Sequence, residues 1–226
     1  MRETMNVLDV NIDRCSAKQA LKRAVEYMNT PETSVISLVT IDALMYARDD
    51  ADYRRAVEQS DLVLPGQKDI LEAAGVLDSR SIREVESQTF LRLWLKYLHR
   101  NHCRAYLLVE TDEEVDALTA FLTEEYRGIA IVGAAKVAAG SEADDMLVNA
   151  INGGEADCVI AILAPPVQEE FVARNRSLIN TRVWLGVGKL MEYAYRQKSG
   201  KGRILTFLDR LFFRREIEKE KKDLKM

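Results

Sequence analysis

Histidine is almost missing from this chain. Only His99 and His102 occur among 226 residues, which argues against a histidine-built metal centre or a catalytic triad. Both fall at the end of a helical pattern, where stabilising the helix end is the expected role. Cysteine is nearly as scarce. Cys15, Cys103 and Cys158 are odd in number and scattered. They point to a reducing compartment and to neither a disulfide framework nor a zinc site. No stretch approaches the ~18 consecutive apolar residues of a membrane span. No N-terminal stretch joins a basic flank, an apolar core and a small-residue cleavage site, so no signal peptide is read. Internal repeats and low-complexity segments are lacking too. These patterns call for no metal, no cofactor and no nucleic acid.

What is present suits a folded soluble chain, 47% hydrophobic and 30% charged. The length allows one large domain or one domain with an appendage. Positions 196–226 hold eleven Lys and Arg against five Asp and Glu. That stretch carries +6 of a formal net −4, which leaves −10 on the rest. An acidic body with a basic tail implies that the tail has its own partner. The expected division is an α/β domain over 1–198 and a basic amphipathic helical tail over 199–226.

Strands and helices alternate along the body. Short apolar runs at 7–10, 35–39, 61–64, 105–109, 130–132, 158–163 and 183–187 read as strands. Helical patterns fill 17–28, the segment after Asp42, 68–74, 88–100, 113–125, 142–151, 167–175 and 189–196. Ser16 and Asp42 are placed as N-caps. Phe90, Leu91, Trp94, Leu95 and Leu98 share one helical face, so Trp94 reads as core. Such alternation predicts βαβ units, hence a Rossmann-like parallel sheet covered by helices on both faces. In the tail, Ser199-Gly200-Lys201-Gly202 breaks the pattern. Ile204, Leu205, Phe207, Leu208, Leu211 and Phe212 then form one apolar face, with Arg203, Arg210 and Arg214 flanking or opposing it. That face suits the acyl boundary of a membrane, with the arginines on head groups. It equally suits packing on the chain's own domain or on a partner subunit.

In open parallel sheets, ligands sit beyond the carboxyl ends of the strands, and the candidate residues are those that follow strands. Thr40 and Asp42 could hold a ligand's hydroxyls or phosphate, or simply cap a helix. Pro65-Gly66-Gln67-Lys68-Asp69 could place phosphate at a helix N-terminus, or be a plain turn; its spacing is not that of a Walker loop. Arg83 either faces the same edge or is a solvated surface residue. Gln168 and Glu169 open a helix after Pro165-Pro166. Glu169 could act as acid, base or sugar-hydroxyl acceptor, or could complement the helix dipole. Gly186-Val187-Gly188-Lys189 lacks the third glycine and the downstream acid of a dinucleotide fingerprint, and reads as a strand-to-helix turn.

Taken in order, these segments resemble the WecG/TagA/CpsF glycosyltransferases over nearly the whole chain. The resemblance runs from Asn6-Val7-Leu8-Asp9-Val10-Asn11-Ile12-Asp13 through Val39-Thr40 and Ser60-Asp61-Leu62-Val63-Leu64-Pro65. It continues in Tyr126-Arg127-Gly128 and Ile131-Val132-Gly133. It is strongest in Pro166, Gln168-Glu169, Ala173-Arg174-Asn175 and Gly186-Val187-Gly188. The resemblance implies a Rossmann-like core with a membrane-targeting C-terminal appendage. It implies transfer of an N-acetylmannosamine-like hexosamine from a UDP sugar to a polyprenyl-diphosphate-linked acceptor, in envelope polysaccharide or teichoic acid synthesis. It places the chain in the cytoplasm, peripheral at the inner face of the plasma membrane, with an anionic membrane surface as the tail's partner. A homo-oligomer is left open.

Thr40, Arg83, Gln168 and Glu169 match the family pattern. Elsewhere the chain departs from it. The family's Pro-Asp-Gly, whose aspartate is the proposed base, becomes Pro65-Gly66-Gln67. Neither glycine nor a glutamine amide accepts a proton usefully, which leaves Asp69 as a substitute base. An asparagine becomes Asp42, and a lysine becomes Val167. Paired glycines after Leu108 become Val109-Glu110. A His-rich, glycine-containing loop after Gly133 becomes Ala134-Ala135-Lys136-Val137. A glycine and an aspartate after Gly188 become Lys189 and Glu192. Substrate-binding candidates are therefore Thr40, Asp42, Arg83, Gln168, Glu169 and Glu192. Membrane candidates are Arg203, Phe207, Arg210, Leu211, Phe212 and Arg214. The alternative to a divergent transferase is a catalytically inactive relative that serves as a binding or scaffold protein.

Overall fold

A computed structural model describes residues 3–137 and 144–191, together with 213, 217 and 218. Two strands, β1 (Thr4–Val7) and β2 (Val10–Asp13), form an antiparallel hairpin. The single strand expected at 7–10 is in fact the turn of this hairpin. Leu8 and Asp9 both adopt left-handed backbone, with φ of 50° and 61°. Turns of this kind favour Asn-Gly, so Leu-Asp between valines gives no turn signal. Leu8 is buried there, and its packing offsets the backbone strain.

The main sheet holds β3 (Ser34–Val39), β4 (Leu62–Pro65), β5 (Arg104–Val109), β6 (Ala130–Lys136), β7 (Cys158–Ala161) and β8 (Val183–Gly186). Every pairing is parallel, in the order β4-β3-β8-β7-β5-β6. The central strands are buried throughout, as continuous apolar runs require when helices cover both faces. The parallel α/β architecture expected from the alternation is therefore present.

On one face lie α1 (Ala17–Tyr27), α6 (Thr89–Arg100) and α7 (Asp112–Glu125), packed on Ile36, Leu107, Ile160 and Leu185. Trp94 is fully buried there, as its helical face predicts. On the other face, α8 (Asp144–Gly153) and α9 (Val167–Asn175) cover Val35, Leu108, Val159 and Trp184. Phe171 stacks on Trp184, with ring centroids 5.5 Å apart. The hairpin, α2 (Ile41–Asp49), α3 (Ala51–Glu58) and α4 (Lys68–Ala73) enclose a third apolar cluster. α5 (Ser79–Glu86) leads from α4 to α6.

The helix starts follow side-chain chemistry. Ser16 and Gln19 form a capping box, as do Thr111 and Glu114. The cap of α2 is Thr40, whose Oγ1 accepts from the Ala43 amide at 3.2 Å, and Asp42 lies inside the first turn. Neither α3 nor α5 is among the sequence-expected helices. Arg83 accordingly lies within a helix, not before one. His99 also has a different role: its Nδ1 accepts the Gly128 amide at 2.8 Å, tying the turn before β6 to the end of α6. The strand read at 158–163 ends at Ala161, and the helix read at 189–196 is a short 3-10 turn over Gly188–Met191 as far as the described residues extend.

Candidate functional site

The carboxyl ends of β3, β4, β7 and β8 converge on one edge. After β4 the chain turns sharply, and the Gly66 amide donates to the Val39 carbonyl at 2.8 Å. Gln67 crosses to α2, where its Oε1 accepts from the Ile41 amide at 2.7 Å. A Cβ at Gly66 would lie 2.6 Å from Leu190 Cδ1 and 2.8 Å from the Val39 carbonyl oxygen. A side chain at Gly66 would therefore require Leu190 and the Val39 backbone to shift. A cavity of about 250 Å³ opens beside Gly66, lined in part by Ser16, Leu64, Val85, Gln88 and Leu190.

The second group comes from α9. Gln168 is 4% exposed and lies flat on β8, where a Cβ at Gly186 would fall 2.1 Å from its Nε2. Only glycine lets the amide approach so closely. Gln168 Nε2 donates to Glu169 Oε1 at 3.0 Å. Glu169 Oε2, Gln168 Oε1 and the hydroxyl of Tyr53 are buried, and none of them makes a hydrogen bond of good geometry. Tyr53 is a residue of α3, 3% exposed, and its hydroxyl lies beside the Glu169 carboxyl. Burial pushes that carboxyl up to about 7, against the opposing pull of its own backbone N–H, Tyr53 and Gln168. Burial, and then the Glu169 charge, raise the Tyr53 hydroxyl as well. Asp42 is exposed on α2, near enough to Tyr53 for its charge to act there.

The third group spans β5, β7 and β8. Glu110, directly after β5, accepts from the Ala164 amide after β7 and from Lys189 Nζ after β8, the latter at 2.6 Å. Lys189 also donates to Glu114 Oε1 at 3.2 Å. Burial alone would lower the Lys189 ammonium, but the Glu110 and Glu114 carboxylates hold it above its ordinary range.

The structure thus brings together Gln168 and Glu169, with Tyr53 beside them and Asp42 close enough to Tyr53 for its charge to act there, while Thr40 faces the turn after β8. Thr40 Cγ2 would lie 3.2 Å from a Cβ at Gly188. Arg83 stands apart on the exposed side of α5, donating to the Ser79 carbonyl of its own helix at 2.9 Å. Asp69 is buried in the first turn of α4. Glu192, Arg203, Phe207, Arg210, Leu211, Phe212 and Arg214 lie outside the described residues. Tyr53 is the contributor that sequence reasoning missed. Its signal was the Asp50 cap followed by Tyr53 and Val57 at helical spacing. Among the described residues no group of three or more His, Cys, Asp or Glu could hold a metal ion, and no helix is long and apolar enough to cross a membrane.

A parallel sheet with its polar residues gathered at the carboxyl edge defines an α/β protein of Rossmann-like type. Residues 5–199 match the model of the Glycosyl transferase WecG/TagA/CpsF family, and the chain belongs to that family. Similar proteins include the N-acetylglucosaminyldiphosphoundecaprenol N-acetyl-beta-D-mannosaminyltransferase of Staphylococcus aureus strain NCTC 8325 / PS 47. It is 22% identical over 193 residues, covering 83% of this chain and 74% of that protein. The protein of the same description from strain MRSA252 is 21% identical over the same length.

Proposed function

We propose that this chain transfers an N-acetylmannosamine-like hexosamine from a UDP sugar to a lipid-diphosphate-linked acceptor, in cell-envelope polysaccharide or teichoic acid synthesis. The family match carries this reading, because it spans every loop of the sheet's carboxyl edge. In the reaction, the acceptor hydroxyl oxygen bonds to C1 of the donor sugar. The bond from C1 to the diphosphate breaks, UDP leaves with the electron pair, and the hydroxyl proton passes to a carboxylate. Glu169 suits that proton better than Asp69. Its Oε2 is buried beside the Tyr53 hydroxyl, and its carboxyl is pushed up to about 7, near the neutrality at which a general base works best. Thr40, Asp42 and Gln168 would hold sugar hydroxyls, with Arg83 and Glu192 assigned to the donor. No cofactor takes part. The tail over 199–226 would hold the protein to an anionic membrane surface at the inner face of the plasma membrane, through Arg203, Phe207, Arg210, Leu211, Phe212 and Arg214.

The test measures UDP release with UDP-N-acetylmannosamine and a lipid-diphosphate acceptor analogue. Glu169→Gln is expected to lower kcat by about 10²–10⁴-fold, and Asp69→Asn to lower it far less. The reverse order would move the base to Asp69. No release across a panel of UDP sugars would sink the transferase reading. Two observations favour the second reading, a catalytically inactive binding or scaffold protein: Gly66 offers no side-chain base and is closely packed against Leu190 and the Val39 carbonyl, and the Glu110–Lys189 pair fills space at the ligand edge.

A further inference from the structure

The loops of β5 and β7 leave the sheet in opposite directions. β5 leads through α7 to β6 at the outer edge, and β7 leads through α9 back to β8. The two helices pack on opposite faces. The carboxyl ends of β5 and β7 therefore border the crevice where an open α/β sheet receives its ligand. In this chain the crevice already holds an anion and a cation. The Glu110 carboxylate reaches across the end of β7, with one oxygen on the Ala164 amide and the other on Lys189 Nζ. The amides that open α7 are occupied as well. Glu110 N and Thr111 N donate to Glu114 Oε2 at 2.9 and 3.2 Å, and Glu114 N donates to Thr111 Oγ1.

We propose that Glu110 is an internal substitute for a phosphate, and that Lys189 is the cation a nucleoside diphosphate engages once Glu110 is displaced. The inference rests on the transferase reading and names where the donor's diphosphate goes. A carboxylate held by a backbone amide and an ammonium makes the contacts that one phosphate group would make. Glu110 and Glu114 both lie on the Lys189 ammonium, so an arriving diphosphate must compete with two carboxylates for it. Glu110 thus sets the specificity of the crevice: it competes with phosphate for Lys189 and leaves the native chain a weak diphosphate binder.

The experiment compares the full-length protein with Glu110→Gln and with the double variant Glu110→Gln/Lys189→Met. Calorimetry reads the binding of UDP and of inorganic pyrophosphate, and thermal melting confirms folding. Glu110→Gln is expected to bind both at least about tenfold more tightly than the native protein, the scale of one partly screened charge interaction. The double variant is expected to lose that gain. A folded Glu110→Gln with unchanged affinity, or a double variant that keeps the gain, overturns the proposal. If Glu110→Gln does not fold, a crystal structure of the native protein with millimolar UDP decides. Phosphate oxygens on Lys189 with Glu110 turned away support the proposal, and phosphate elsewhere overturns it. Tighter pyrophosphate binding with no UDP release from any UDP sugar would remove the transferase reading and leave this inference standing. Turnover by the native protein with unchanged binding in Glu110→Gln would do the reverse.

Discussion

Glu169 combines two properties that pull apart in most carboxylates. It stands in the first turn of α9, where a helix dipole favours negative charge, and its carboxyl is enclosed, which disfavours that charge. Enclosure wins, and the carboxyl rises from 4.5 to about 7. The consequence for stability has a definite sign. Between those two values the folded protein keeps a proton that the unfolded chain has released. Stability from this group is fully present below about 4.5 and is lost as pH rises through 7. Glu169→Gln removes the titration and keeps the side chain's shape. From pH 4.5 to pH 8, the native protein should lose on the order of 3 kcal/mol relative to the variant. Urea denaturation of both proteins at the two pH values measures this. A constant difference would show that Glu169 is not held protonated.

At the scale of elements, the edge is a set of loops braced against one another. Gly66 touches the turn after β8, Gln67 caps into α2, and Gln168 rests on β8. Restoring the family's aspartate by Gly66→Asp is therefore no simple repair. The new side chain would overlap Leu190 and the Val39 carbonyl, and overpacking of this kind costs about 1–3 kcal/mol. A lower urea midpoint is expected, with no gain in UDP release. An unchanged midpoint would mean that the loop relaxes freely. The sheet was legible in the sequence because its buried strands are uninterrupted apolar runs such as Cys158-Val159-Ile160-Ala161. Gln168 and Glu169 were legible because a motif marks them. Tyr53 was not, because α3 is short and mostly polar and shows its value only when α9 packs on it. The pairing of Glu110 with Lys189 was equally hidden. The two positions lie 79 residues apart and meet only through the strand order.

For the whole molecule, the open question is what the basic tail does, and two described residues narrow it. Phe213 and Ile217 are 1% and 7% exposed, inside the cluster formed by the hairpin, α2 and α4. They stand four residues apart and fall outside the series Ile204, Leu205, Phe207, Leu208, Leu211 and Phe212. The tail sequence therefore carries two apolar sets at different helical positions, and one of them is spent on the chain's own core. Both readings of the tail can then hold, each for its own set. Phe213→Ala should cost about 3–5 kcal/mol of stability, the usual loss for a buried phenylalanine, and leave liposome binding intact. Phe207→Ser with Leu211→Ser should do the opposite. Truncation after Ser199 should lose both. Sedimentation with anionic vesicles and urea denaturation of the three variants separate the cases. If Phe207→Ser/Leu211→Ser destabilises the domain and leaves sedimentation unchanged, the second set also belongs to the protein and the membrane role falls.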